Sequence, residues 1–225
     1  MTAAREFVAL VRDGAEGAKD PQEQRQLLDY ALHACDLMAL QVNDLLEVAR
    51  AEADRVRIVK SSAAIARIAG FAVAAFSHAA EARGVDLSLT IAPDLPNVHA
   101  DEARVAQILN NLLSNALKFT APGGGVHVGV EPSAEEAGFV QVAVRDSGCG
   151  IPADHLPHVC ERLYQVPEAG SHFDYGGLGL GLYIVQDLVH RHGGTLRIES
   201  EVGTGSTFRF TLPVAQPDAV ASAAA

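Results

Sequence analysis

Tryptophan is absent from the 225 residues, methionine occurs only twice, and aromatic residues make up only 5%. Any core must therefore be built from Ala, Val, Leu and Ile. Cysteine is also scarce. Cys35, Cys149 and Cys160 are odd in number and show no C-x-x-C spacing, which excludes a disulfide framework and a cysteine zinc site and fits a reducing compartment. No apolar run approaches the roughly 18 residues of a membrane span, and the opening Met1-Thr2-Ala3-Ala4-Arg5-Glu6 has no signal-peptide core. The expectation is a cytoplasmic chain with no membrane contact of its own. Basic residues number 17 against 28 acidic, a formal net charge of −11. That balance excludes a protein that coats nucleic acid, which needs a basic face. A single bound nucleotide needs only local donors and is not excluded.

The composition that remains is globular, 48% hydrophobic and 20% charged. The length suits one large domain or a domain with a smaller appendage. Residues 4–12 carry Phe7, Val8, Leu10 and Val11 at helical spacing, ended by Gly14 and Gly17. From Leu27 to Ala53 the apolar residues follow a heptad, with Leu28, Cys35, Val42 and Ala49 in one column and Ala31, Met38 and Leu45 in another. Leu32, Ala39 and Leu46 widen that stripe beyond what one partner helix covers. Residues 1–60 therefore read as an antiparallel helical hairpin that pairs with a second copy in a four-helix bundle, the alternative being that the stripe packs on the rest of the chain.

Beyond residue 60 the pattern becomes mixed. An Ala-rich helix is expected at about 62–83 and a strand at 85–91. Asp101 is expected to cap a helix running to Phe119, which Thr120-Ala-Pro122-Gly-Gly-Gly breaks. Strands follow at 126–131 and 139–145, then a helix at about 180–192 ended by Gly193-Gly194, and a hairpin from 196–200 and 207–212. Helices and strands interleave without βαβ repetition, which predicts an α+β fold, a two-layer α/β sandwich over 61–215. Residues 216–225 read as a disordered tail.

Four segments carry chemistry. On a helix advancing about 100° per residue, Asn111, Asn115 and Lys118 share one face while Leu109, Leu112, Leu113 and Ala116 lie on others. Asn oxygens can hold Mg²⁺ and a Lys offers a point charge to phosphate, although an exposed polar stripe is the ordinary origin of such a face. Asp146-Ser-Gly148-Cys-Gly150-Ile151 follows a strand, where a lone Asp can accept from an exocyclic amine or simply cap a turn. Gly176-Gly177-Leu-Gly179-Leu180-Gly181 opens a helix, whose free N–H groups suit phosphates. Gly203-Thr-Gly205-Ser-Thr207-Phe alone is compatible with a hairpin turn.

In this order and spacing the four segments resemble the N, G1, G2 and third glycine boxes of the sensor histidine kinases, a branch of the ATPase superfamily that includes gyrase and Hsp90. Coverage runs from about residue 22 to Pro213, and Arg50-Ala-Glu52-Ala-Asp54 resembles the end of the family's dimerisation hairpin. The resemblance implies a Bergerat-type ATP-binding fold and ATP with Mg²⁺ as cofactors. It implies that Asp146 reads the adenine amino group, that Asn111 and Asn115 hold Mg²⁺ and phosphate, and that Lys118 contacts the phosphate chain. Gly148, Gly150, Ile151, Gly177, Gly179, Leu180, Gly181 and Thr207 would line the nucleotide, with Arg162 a further phosphate contact. It implies transfer of the γ-phosphoryl group to a histidine, a homodimer through the hairpin, and a response regulator or phosphoacceptor hairpin as partner.

Several residues depart from that pattern. No H-box histidine followed by an Arg-Thr-Pro-like segment is present, and His33 reads as an ordinary surface residue. The two Phe of the F box appear as Cys160-Glu-Arg162-Leu163-Tyr164, and Ser171-His172-Phe173-Asp174 stands where a basic pair is common. His155 and His158 have the spacing of a metal pair but flank Pro157 and read as structural, and His190 and His192 read as cations at a helix end. These departures define the rival function, a degenerate kinase-like module that dimerises and regulates a partner without phosphotransfer. A hydrolytic relative is disfavoured, because gyrase and Hsp90 carry a Glu base where this chain has Asn111, and an amide cannot deprotonate water.

Overall fold

A computed structural model describes residues 57–167 and 178–216. These belong to a compact unit that begins at Arg55. All but the last four residues of the hairpin expected over 1–60, with His33 among them, lie outside the described residues, as do Gly177, the His172–Asp174 stretch and nearly all of the tail.

Ser61–Ala63 (β1) leads into helix Ile65–Ala82 (α1), then Asp86–Ile91 (β2), Val98–Ala100 (β3) and helix Glu102–Phe119 (α2). Gly125–Pro132 (β4) and Phe139–Asp146 (β5) follow, then helix Gly181–His192 (α3), Leu196–Glu201 (β6) and Gly205–Pro213 (β7). Five strands form one sheet in the order β2-β4-β5-β7-β6, with β2 parallel to β4 and every other pair antiparallel. β1 and β3 form a separate antiparallel pair.

Period-2 alternation gives the sheet two unlike faces. Val126, Val128 and Val130 of β4, Val140, Val142 and Val144 of β5, and Phe208, Phe210 and Leu212 of β7 are buried. Between them, His127, Glu131 and Arg145 are exposed, and on the same face Arg209 pairs with Glu199 at 2.5 Å. The helices cover the apolar face: Ile65, Ile68, Ala69 and Ala72 of α1, Val105, Ile108, Leu109, Leu112 and Leu113 of α2, and Ile184, Val185, Leu188 and Val189 of α3 are all buried. The result is the two-layer α+β sandwich expected from the sequence. With no Trp available, Phe208, Phe210 and many β-branched residues fill it, Phe210 being the largest fully buried side chain.

Helix ends place the chemistry. Asp101 caps α2, its Oδ1 accepting from Ala103 N at 3.1 Å and Arg104 N at 3.3 Å. α3 ends on Gly193 at φ 84, the left-handed stop read from Gly193-Gly194. His192, by contrast, is no exposed cation. It is 1% exposed, its Nε2 accepts from Asp101 N at 3.1 Å and its Nδ1 lies 2.7 Å from the Leu188 carbonyl. Those two bonds require the neutral tautomer with the proton on Nδ1, and burial pushes the pKa down from 6.5. Periodicity located the helix end correctly but could not reveal that the start of α2 packs on it.

Candidate nucleotide-binding site

Asp146 ends β5 with its side chain on the buried face. Its Oδ1 accepts from Gly148 N at 2.9 Å and from Ser206 N at 3.2 Å, and the residue is only 6% exposed. Oδ2 makes no hydrogen bond among the described residues, so one carboxylate oxygen is held while the other is left for a ligand. Burial pushes the Asp146 pKa above the ordinary aspartate value, opposed by the two backbone N–H donors.

The turn after Asp146 is clamped from both sides, and its glycines are required. A Cβ on Gly148 would come within 2.6 Å of the Phe119 carbonyl, and one on Gly150, at φ 72, would collide with the carbonyl of Glu201. Cys149 N donates to Phe119 O at 3.3 Å, Gly203 N donates to Cys149 O at 2.8 Å, and Ile151 N donates to Ser200 Oγ at 2.7 Å. The G1-like segment is thereby bound to the end of α2 on one side and to the β6–β7 turn on the other. Gly205, at φ 118, passes so close to Asp146 that a side chain there would strike the Asp146 carbonyl.

The glycine-rich segment meets α2 at its amide face. A Cβ on Gly181, the first residue of α3, would lie 3.9 Å from Asn111 Cγ and 4.0 Å from Asn115 Nδ2. The N-cap of α3 is Leu180, which makes no side-chain cap, and the first turn holds no acidic residue. Intrahelical bonding starts with Ile184 N donating to Leu180 O at 2.9 Å, so the N–H groups of Gly181, Leu182 and Tyr183 have no partner within the helix. Unpartnered donors and the positive end of the helix dipole form an anion site. Asn111 Nδ2 is buried without a hydrogen-bond partner among the described residues. A half-turn of the carboxamide exchanges its N and O in the same volume, so a phosphate oxygen or a cation satisfies it equally. Lys118 lies seven residues on, with Nζ 4.8 Å from the centre of the Phe119 ring and its pKa lowered by burial.

Not every expected residue belongs to this cluster. Thr207 pairs across β5 with Arg145 and across β6 with Glu199, so its side chain lies on the sheet face opposite Asp146. Its neighbour Ser206, opposite Asp146, is buried and donates its N–H to the carboxylate, a role the sequence reading missed by one register step. Arg162 is exposed on the segment before the described chain breaks off. His155 and His158 do not converge on a metal. His155 Nδ1 lies 2.5 Å from the Tyr164 hydroxyl and His158 Nδ1 lies 2.6 Å from Glu161 Oε1, and no metal-ligating cluster occurs among the described residues. No helix among the described residues is long and apolar enough to cross a membrane.

Residues 100–216 match the family model described as histidine kinase-, DNA gyrase B-, and HSP90-like ATPase. The chain is 31% identical over 214 residues to the adaptive-response sensory kinase SasA of Synechococcus sp., covering 95% of this chain and 55% of that protein. It is 30% identical over 213 residues to the sensor histidine kinase WalK of Bacillus subtilis, covering 95% of this chain and 34% of WalK. The chain thus spans about half or less of the length of these relatives. A crystal structure of full-length ShkA in complex with AMPPNP superposes with a TM-score of 0.73 at 27% identity, covering 96% of this chain and 47% of that one. The Acinetobacter baumannii histidine kinase AdeS shares the fold, with a TM-score of 0.69 at 18% identity over 96% of this chain and 95% of its own. A family match over the same residues that carry the clamped Asp146, the amide face of α2 and the open end of α3 leaves one conclusion: the chain belongs to the histidine kinase, gyrase B and HSP90-like ATPases and carries the ATP-binding catalytic domain of sensor histidine kinases.

Proposed function

We propose that this chain binds ATP with Mg²⁺ between α2, the Asp146 turn and the start of α3, and transfers the γ-phosphoryl group to a histidine. The observation that carries the reading is the convergence of four segments distant in sequence. Asp146 Oδ1 is held by Gly148 and Ser206, and the uncapped first turn of α3 faces Asn111 and Asn115. In this reading Asp146 Oδ2 accepts from the adenine amino group, and the N–H groups of Gly181, Leu182 and Tyr183 receive phosphate oxygens. The residues fit a magnesium ion, since the carboxamides of Asn111 and Asn115 are neutral oxygen donors and the Asn111 amide is buried and unpartnered. Such an ion supplies charge neutralisation across the phosphates. Lys118, whose pKa burial lowers from the ordinary lysine value, adds a local cation beside them.

Transfer needs in-line positioning more than covalent help from the protein. A neutral imidazole nitrogen attacks the γ-phosphorus, the bond to the β,γ-bridging oxygen breaks, ADP leaves, and the other ring nitrogen releases its proton. Asn111 and Asn115 provide no general base for water, which favours transfer over hydrolysis. The phosphoacceptor is a histidine on an H-box hairpin that these 225 residues do not contain. Dimerisation through residues 1–60 and onward transfer to a response regulator belong to the same proposal.

Incubating the chain with γ-labelled ATP and Mg²⁺, alone and with an H-box hairpin, tests it. Acid-labile phosphate on the added hairpin is the expected result. Tight ATP binding with no transfer to any hairpin would instead support the regulatory reading that the missing H box and the altered F box favour. Rapid release of inorganic phosphate would mark a hydrolase.

A further inference from the structure

The start of α3 is braced from outside by a cluster to which neither the nucleotide nor the sheet contributes. Residues 152–164 wind through successive tight turns: His155 N donates to Pro152 O at 3.0 Å, His158 N to His155 O at 2.9 Å, and Glu161 N to His158 O at 2.8 Å. They bring both histidines onto one ring. The Tyr164 hydroxyl lies 2.5 Å from His155 Nδ1, and the His158 ring lies 5.7 Å from the Tyr164 ring at 37° while its own Nδ1 meets Glu161 at 2.6 Å. On the far side of this cluster, Leu163 N donates to Gly179 O at 3.0 Å, and Gly179, at φ 67, comes so near that a Cβ would lie 2.5 Å from the Tyr164 carbonyl.

Leu163 adopts φ 63, a conformation that a leucine adopts only when its surroundings impose it. Its side chain is 54% exposed and so cannot be what imposes it. Its backbone is restrained by Tyr164 N donating to Glu161 O at 3.3 Å, which closes a turn with Leu163 in its third position, by the bond to Gly179, and by the anchoring of the Tyr164 side chain on His155. We propose that the His155–Tyr164 pair is a positioning clasp that holds the Leu163–Tyr164 backbone against Gly179 and so fixes the turn entering α3 for a ligand's phosphates. The hydroxyl is what makes the clasp: a phenylalanine at 164 would stack on His158 but could not bond His155. Tyr164 and His155 touch no ligand in this arrangement and act through the Gly179 backbone.

The inference rests on the nucleotide reading above, so its test uses two measurements on the full chain. In the unliganded protein, Tyr164→Phe and His155→Ala should each speed hydrogen exchange at the Leu163 amide by about five- to tenfold, the effect of losing one supporting hydrogen bond. The double variant should be no faster than either single one, and His155→Asn, whose amide reaches where Nδ1 stood, should restore protection. With ligand, the same variants should weaken ATP by about five- to tenfold while leaving adenosine, which has no phosphates, unchanged. Equal Leu163 protection in wild type and all variants would overturn the clasp. Faster exchange with unaltered ATP affinity would overturn its phosphate-positioning role. A wild-type chain that binds no ATP would sink the nucleotide reading alone, and the exchange data would still decide whether the clasp exists.

Discussion

Two neighbouring positions on β7 show how much one register step decides. Ser206 stands opposite Asp146 and its N–H completes the hold on Oδ1, whereas Thr207 stands opposite Arg145 on the outer face. Thr207→Ala should therefore change ATP affinity by less than about twofold, the ordinary result for a surface substitution within about 0.5 kcal/mol. Asp146→Asn should behave very differently. The asparagine oxygen can still accept from Gly148 and Ser206, so the turn survives, but the amide then presents N–H groups to the adenine amino group in place of an acceptor. An unsatisfied buried donor costs about 1–3 kcal/mol, which is roughly a 5- to 150-fold loss of affinity. Calorimetric titration of ATP into both variants checks the pair. Unchanged affinity in Asp146→Asn would remove Asp146 from the site, and a loss as large in Thr207→Ala would show that the outer face takes part.

At the scale of elements, His192 couples the two helices that build the site. Its ring ends α3, its Nδ1 proton goes to Leu188, and its Nε2 accepts the N–H of Asp101, whose carboxylate caps α2 through Oδ1 and accepts Val59 N at 3.0 Å through Oδ2. Burial, together with Lys60 and His99, lowers the His192 pKa in the folded chain, against the Leu188 carbonyl and Asp101, which raise it. The unfolded chain then binds the proton more readily, so stability rises with pH through this window. The contribution is complete above the ordinary value of 6.5 and is lost as pH falls below it towards the lowered folded pKa. Urea unfolding from about pH 7.5 to about pH 5 should show this decline in the wild type and a flatter profile in His192→Gln. Parallel profiles would show that His192 does not carry it. This brace was invisible in the sequence because helix and strand periods assign faces within an element, not the partner across a gap of 91 residues. The long elements were legible, because α2 and α3 carry strong 3.6-residue patterns with a capping Asp101 and a stopping Gly193, and β4, β5 and β7 alternate cleanly. β1 and β3, three residues each, are too short to show a period and exist through their antiparallel pairing, Ser62 opposite His99. The parallel pairing of β2 with β4 needs the crossover through α2, which no local pattern encodes.

At the scale of the whole molecule, a chain of net charge −11 is asked to hold a polyanion. The local answer described here is modest: one helix N-terminus, the neutral amides of Asn111 and Asn115, and the single ammonium of Lys118. Fixed protein charge of this size does not offset the repulsion of a triphosphate from an acidic body, so the affinity should depend on a divalent cation. Ligand binding stabilises the folded state by about 2.7 kcal/mol when the ligand is present at 100 times its Kd, and each kcal/mol raises the melting temperature of a domain this size by about 2–4 °C. ATP with Mg²⁺ at that excess should therefore raise the melting temperature by about 5–10 °C, and chelating the metal at the same ATP concentration should abolish most of the rise. Adenosine separates metal dependence from adenine recognition, since it meets Asp146 but carries no phosphate: its smaller shift should be indifferent to chelation. Equal shifts for ATP with and without the metal would mean that the protein neutralises the phosphates unaided, and would strip Asn111 and Asn115 of their proposed role while leaving Asp146 in its own.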